Sequence, residues 1–237
     1  THGDWSVTRI EGIDTNRRVI YYTGTQASPL QRQLYAIGFD GKNPRRLTTV
    51  PGTHHIDMSP DTRYYIDRYS SVSQPARVEL WATNVRALRT LEDNHSVTAW
   101  LAGHEYQPTR IFSFTTSDGA HIDASMVRPT PFDSTRRYPV VFEVYGGPGS
   151  QQVYDAFNSS GWTQWLSQHG YIVIGVNNRG TNNYGSAFMK IVYRNLGKWE
   201  SHDFAETARY LAKLPYVDAH HIAIMGTSYG GYSTLFT

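Results

Sequence analysis

At 237 residues, 39% hydrophobic and 14% aromatic, the chain can bury a substantial core in one large domain or two modest ones, which excludes a disordered segment. Its 22 Lys and Arg against 20 Asp and Glu leave a net charge of +2 with no basic block, so neither nucleic acid nor an anionic membrane surface is an expected partner. The longest apolar runs, such as Tyr171-Ile172-Val173-Ile174, fall far short of a membrane span, and the lack of cysteine excludes disulfides and thiolate metal sites. Thr1-His2-Gly3-Asp4-Trp5 does not resemble a signal peptide, although a segment of a longer precursor would have lost one.

The N-terminal part carries an internal repeat. Arg18-Val19-Ile20-Tyr21-Tyr22 aligns with Arg63-Tyr64-Tyr65-Ile66-Asp67, and Gln33-Leu34-Tyr35-Ala36 aligns with Glu79-Leu80-Trp81-Ala82. The period of about 45 residues suits propeller blades. Turn signals at Asp40-Gly41, Pro51-Gly52 and Ser59-Pro60-Asp61 separate strand-like runs, as four-stranded antiparallel blades require. About two blades fit in this stretch and cannot close a ring, so further blades are expected before Thr1. The alternative is a β-sandwich fragment with a coincidental period.

Past Gln107-Pro108 the pattern changes to alternating strands and helices, which predicts a domain boundary with residues 1–107 on one side and 108–237 on the other. Ile111 to Thr116 and His121 to Arg128 read as a strand pair around Ser117-Asp118-Gly119-Ala120, and Pro139 to Tyr145 reads as a buried strand. A helix within Trp162 to Gln168 precedes an apolar strand from Tyr171 to Val176. From Ser201 to Leu214, Phe204, Ala208, Leu211 and Ala212 share one helical face, and Pro215 stops the helix. His221-Ile222-Ala223-Ile224-Met225 then reads as a strand buried on both faces. This βαβα order predicts a parallel sheet with its ligand site at the carboxyl ends of the strands.

At such an end stands Gly226-Thr227-Ser228-Tyr229-Gly230, a Gly-x-Ser-x-Gly pattern that places a nucleophilic serine on a tight strand-to-helix turn. Alone the pattern is weak, since chance supplies it in about one chain of this length in twelve. The apolar run before it raises it well above chance. Its flanking glycines relieve a crowded, strained turn, and Gly231 fits the same crowding. The plainer alternative is that Ser228 only N-caps a helix. For a nucleophile, the backbone N–H of Tyr229 is one oxyanion donor, a contribution worth about 3 to 4 kcal/mol per donor. On spacing alone Tyr145 is a packing residue. Gly146-Gly147-Pro148-Gly149 lacks the Gly-Lys-Ser/Thr ending of a phosphate loop.

Val144-Tyr145-Gly146-Gly147-Pro148-Gly149-Ser150-Gln151, Asn177-Asn178-Arg179-Gly180 and Gly226-Thr227-Ser228-Tyr229-Gly230-Gly231 together resemble the successive signatures of the prolyl oligopeptidase family (peptidase family S9), closest to its dipeptidyl peptidase IV branch. The likeness runs through nearly the whole chain. It implies a β-propeller fragment followed by an α/β-hydrolase domain that is incomplete at its C-terminus. It also implies that the Tyr145 phenol is the second oxyanion donor and that the Tyr229 ring is a wall of the pocket for the residue before the scissile bond, where an aromatic surface suits proline. Two departures stand out: the branch usually has Trp where this chain has Thr227 and Asp where it has Asn178. Arg179 has two open readings, an anchor for the loop near the site through carboxylate bonds or an ordinary surface arginine.

All ten histidines precede Ser228, with His54, His55 and His95 in the repeat region, His202 opening a helix, and His220 and His221 at the far end of the elbow strand. Triads occur in other chain orders, so one completed by an earlier histidine is the alternative, but the family resemblance implies an Asp and a His within roughly a hundred residues beyond Thr237, in the hydrolase order Ser, Asp, His. The chain as written is therefore expected to be inactive, and its open edges to make it poorly soluble. The resemblance implies a serine exopeptidase that releases N-terminal dipeptides, or tripeptides, after proline. Two alternatives are another S9-type hydrolase (an acylaminoacyl peptidase, oligopeptidase or esterase) and a catalytically decayed propeller-hydrolase binding protein. No cofactor or metal is expected, because a triad needs none. Peptides with proline near the N-terminus are the expected partners. A homodimer and an extracytoplasmic location are implied by the family alone.

Overall fold

The structure, a computed structural model, describes residues 3–158 and 160–237. The chain forms two compact units, Thr1–Leu101 with Tyr154–Phe157, and Ala102–Val153 with Asn158–Thr237. In the first, β1 (Val7–Asp14), β2 (Val19–Gly24), β3 (Gln33–Gly38) and β4 (Arg45–Arg46) make one four-stranded antiparallel meander. A second meander is built from β5 (Thr53–Met58), β6 (Tyr64–Ser71), β7 (Gln74–Ala82) and β8 (Arg86–Glu92). The sequence repeat maps strand for strand, β2 onto β6 and β3 onto β7. Pro51-Gly52 falls between the meanders, where Gly52 takes φ +142°. Leu34, Leu47, Ile56 and Tyr65 are buried in their shared core.

Helix α1 (His95–Ala102) follows, and the second unit opens with β9 (Arg110–Thr115), β10 (His121–Val127) and β11 (Tyr138–Val144). Next come α2 (Gly161–Gln168), β12 (Ile172–Asn177), α3 (Ser186–Lys190), α4 (Lys198–Leu211), β13 (Val217–Gly226) and α5 (Tyr229–Phe236). The strands form one sheet in the order β13-β11-β12-β10-β9. Period-two alternation divides its side chains between two faces. Ile122, Val140, Phe142, Ile172, Ile174 and Val176 pack with Phe204 and Leu211 of α4, whereas Val127 and Val173 pack with Leu166 of α2. Among the described residues no helix is long and apolar enough to cross a membrane.

Three expectations are corrected. The sheet is mixed, not parallel: β11 runs parallel to β12 and β13, but β10 pairs antiparallel with β12 and with β9. The hairpin at Ser117-Asp118-Gly119-Ala120 makes β9 and β10 antiparallel, since a tight turn can only return the chain that way, and the long-range pairing of β10 with β12 sets the hairpin against the parallel strands. Among the described residues β13 pairs with β11 alone and Met225 is exposed, so within this span the strand is not buried on both faces. The fourth helix starts earlier than Ser201, after Gly197 at φ +84°, so His202 lies within it. Ala212 is its exposed C-cap, beyond the buried stripe that includes Phe204 and Leu211.

Ile174 lies on an interior strand and is fully buried, whereas Leu91 on β8 is largely exposed. In the full-length protein Ile174→Ala should cost about 2–5 kcal/mol and Leu91→Ala less than about 0.5 kcal/mol in urea denaturation.

Candidate active site

Ser228 sits where β13 ends and α5 begins, with φ +59° and ψ −123°, a backbone conformation that a non-glycine residue rarely adopts. It occupies the N-cap position, yet its side chain makes no capping hydrogen bond, and the residue is exposed. The hydroxyl is therefore presented at the positive end of a helix instead of being consumed by it, which favours an oxyanion there. Sterics explain the flanking glycines. A Cβ on Gly226 would lie 2.4 Å from the Val144 carbonyl oxygen, and one on Gly230 would lie 2.2 Å from the same atom. Neither distance is physically possible without moving backbone. Gly231 does not share this crowding, because a Cβ there would meet its nearest atom at 3.5 Å, an ordinary contact.

Strand register brings Tyr145 to the elbow. β11 and β13 are paired in parallel with Val144 opposite Gly226, so Tyr145 and Thr227 are the next residues beyond the paired ends. The turn away from β11 is made by Gly146 at φ +74°. At Gly147 a Cβ would fall 2.4 Å from Cε1 of the Tyr145 ring, so glycine is what allows the ring to lie there. Tyr145 is anchored by its backbone: its N–H donates to Gln152 Oε1 at 3.3 Å, and its carbonyl accepts from Ser233 Oγ at 3.4 Å. The ring is 41% exposed and stands 6.1 Å from the Tyr229 ring, centroid to centroid. Asn178 donates to Gly146 O at 3.3 Å and to Arg179 O at 2.7 Å, so the departure from Asp supplies an amide donor that ties two strand-end loops together.

Tyr229 carries a second attachment that the sequence did not reveal. Its hydroxyl donates to Glu200 Oε1 at 2.8 Å. Burial, and then the bond to Glu200, push the phenol pKa upward, so it remains a donor at neutral pH. Glu200 is fully buried in the first turn of α4.

Arg179 is buried, which settles its two readings in favour of carboxylate bonds. It reaches Asp203 Oδ1 at 2.6 Å, Asp118 Oδ2 at 2.7 Å and His202 Nδ1 at 2.9 Å, while its guanidinium carbon lies 4.2 Å from the Trp199 ring centroid. Burial alone would lower the guanidinium pKa, but the bonds from Asp203 and Asp118 outweigh it and the net shift is upward. The Thr116 hydroxyl, followed by Arg179, holds the Asp118 carboxyl down at about 2. The cluster pins the loop after β12 to α4 and to the β9–β10 turn. A usable sequence signal existed: Glu200, Asp203, Phe204, Thr207 and Leu211 are all buried at helical spacing, so the acids extend the apolar stripe.

His220 and His221 lie within β13, and about 16 Å of strand separates His221 from Gly226. His221 bonds to Asp218 and His202 to Arg179. No group of three or more His, Cys, Asp or Glu among the described residues could hold a metal ion.

The chain matches two family models, the prolyl oligopeptidase family over residues 157–237 and the dipeptidyl peptidase IV N-terminal region over residues 1–76. It is 36% identical to a probable dipeptidyl-aminopeptidase B of Trichophyton verrucosum, covering 100% of this chain and 27% of that protein. With the corresponding protein of Aspergillus terreus it shares 35% identity, covering 100% and 26%. The chain thus spans about a quarter of the length of these curated relatives. A crystal structure of Porphyromonas gingivalis dipeptidyl peptidase 4 superposes with a TM-score of 0.93 at 38% identity, over 100% of this chain and 33% of that one. A putative dipeptidyl aminopeptidase IV from Bacteroides ovatus gives 0.88 at 29% identity, over 99% and 33%.

The two neighbouring glycines of the elbow should respond oppositely to the same added methyl. Gly230→Ala must displace the Val144 carbonyl and should lose about 1–3 kcal/mol, whereas Gly231→Ala, in α5 with ordinary clearance, should be neutral or gain up to about 1 kcal/mol. Chemical denaturation of the two full-length variants checks this, and equal losses would contradict the steric account of the elbow.

Proposed function

The chain belongs to the prolyl oligopeptidase family, on its dipeptidyl peptidase IV branch, and from that membership we propose that the full-length protein is a serine exopeptidase releasing N-terminal dipeptides with proline before the scissile bond. The observation that carries this reading is Ser228: exposed, strained and uncapped on an elbow whose glycines admit no Cβ. In this reading Ser228 Oγ attacks the scissile carbonyl and gives up its proton to a histidine that follows in the chain order Ser, Asp, His. The carbonyl oxygen becomes an oxyanion, stabilised by the Tyr229 backbone N–H at the start of α5 and by the Tyr145 phenol. That phenol has no hydrogen-bond partner among the described residues, so it can turn to the developing charge without breaking a bond. Collapse expels the amine of the shortened peptide and leaves a dipeptidyl ester on Ser228, which water hydrolyses.

The same reading takes the two antiparallel meanders as propeller blades, within residues 1–107, and residues 108–237 as the first part of an α/β-hydrolase domain. The strand-for-strand repeat supports the former, and the β11–β13–elbow arrangement supports the latter. The Tyr229 ring, partly exposed beside Ser228, is the pocket wall against which a pyrrolidine ring would lie.

Purified full-length protein should cleave Gly-Pro-p-nitroanilide and leave its N-acetylated form intact. Ser228→Ala should lower kcat by at least about 10⁴-fold, and Tyr145→Phe by about 10²–10³-fold. Turnover that survives Ser228→Ala would refute the nucleophile, and cleavage of the blocked substrate would refute the dipeptidyl reading.

A further inference from the structure

Glu200 is costly where it stands. Its side chain is fully buried, Oε1 accepts from the Tyr229 hydroxyl at 2.8 Å, and Oε2 is buried with no donor among the described residues. A buried carboxylate oxygen without a partner loses its hydration with nothing in return, so an apolar residue at this position would serve stability better. A different constraint must account for the carboxylate. Its surroundings are built to hold it still. Trp199, one residue before, covers the Arg179 guanidinium at 4.2 Å, and Asp203, one turn later, bonds the same guanidinium at 2.6 Å. Arg179 therefore clamps α4 on both sides of Glu200.

The Tyr229 ring needs such a fixed point. Its backbone is set by the elbow, and among the described residues its aromatic neighbours are the tilted rings of Tyr145 at 6.1 Å and Tyr232 at 5.2 Å, both of which are substantially exposed. Contacts of that kind do not lock a side-chain torsion. The hydroxyl does, because it is held by the Glu200 carboxylate in the first turn of α4. We propose that Glu200 is a positioning residue for substrate selection, holding the Tyr229 ring through its hydroxyl so that the pocket beside Ser228 favours proline over smaller residues. The inference rests on the reading of Ser228 as the nucleophile of a dipeptidyl peptidase. A flat, fixed aromatic wall contacts a whole pyrrolidine ring, whereas alanine presents a single methyl group, so release of the wall should penalise proline selectively.

The test uses the full-length protein with Gly-Pro- and Gly-Ala-p-nitroanilide, each rate being normalised to the fraction of enzyme that a fluorophosphonate probe titrates. Glu200→Ala and Tyr229→Phe should each reduce the Pro-to-Ala ratio of kcat/KM by about tenfold. Because both remove one shared bond, the double variant should do no more than either single change. Glu200→Gln keeps an acceptor oxygen for the phenol and should recover most of the ratio. A purely structural role would lower the titratable fraction and both rates together while leaving the ratio unchanged. An unchanged ratio in either single variant, or losses that multiply in the double, would overturn the proposal. If Glu200→Ala does not fold, Tyr229→Phe, which retains Glu200 and the ring, decides the question alone. Activity surviving in Ser228→Ala would instead defeat the underlying reading, a result independent of the ratio.

Discussion

The contact on which the site depends is between two backbones: the Val144 carbonyl of β11 lies where the Cβ atoms of Gly226 and Gly230 would be. Parallel pairing brings β11 and β13 to the usual spacing of about 4.8 Å, and the elbow then folds back over the end of its neighbour. That fold-back is what drives Ser228 into its positive-φ conformation and turns its hydroxyl outward. It also sets the distance between the two oxyanion candidates. Tyr145 leaves β11 one residue after the paired end, and Tyr229 enters α5 three residues after the same level on β13. Neither could be moved without reopening the strand pair.

Around this backbone contact the side chains form a second level of constraint, centred on α4. Asp203 is fully buried and bidentate on Arg179, an arrangement in which removal of one partner costs about 3–5 kcal/mol while the intact pair contributes little net stability. Its effect is positional. The pair fixes the loop after β12 against the helix, and Asp118 extends the anchorage to the β9–β10 turn. With its carboxyl held at about 2, Asp118 has a depressed folded-state pKa, so its contribution is complete above the ordinary carboxylate range and is lost only as pH falls toward about 2. The anchor stays charged at neutral pH.

How much of this was legible depends on how far apart in the chain the cause and its effect lie. The elbow could be read because its chemistry is local: an apolar run, two glycines and a serine within a few residues carry the steric requirement themselves. The repeat was legible for the same reason, each meander being a unit of consecutive strands. Tyr145 was not, since its place beside Ser228 follows from register between strands some 80 residues apart, and only the family resemblance marked it. The mixed sheet escaped notice because the pairing of β10 with β12 is a long-range choice that a hairpin signal does not reveal. Glu200 and Asp203 were passed over because acids on a helix are normally solvated, although here they continue the buried stripe.

The residue after Ser228 shows why the two levels must act together. Through its N–H, Tyr229 belongs to the elbow, whose geometry no side chain can adjust. Through its ring and hydroxyl it belongs to the network around α4, which side chains set entirely. A residue held in this way can have its ring re-aimed by altering the tether on the hydroxyl while its N–H stays in place. The reverse does not hold: a shift of the elbow large enough to misplace the N–H would also carry the ring away from Glu200, since both hang from one Cα. The backbone geometry of the elbow is thus the stiffer of the two, and the placement of the Tyr229 ring is the property most open to change by substitutions on α4.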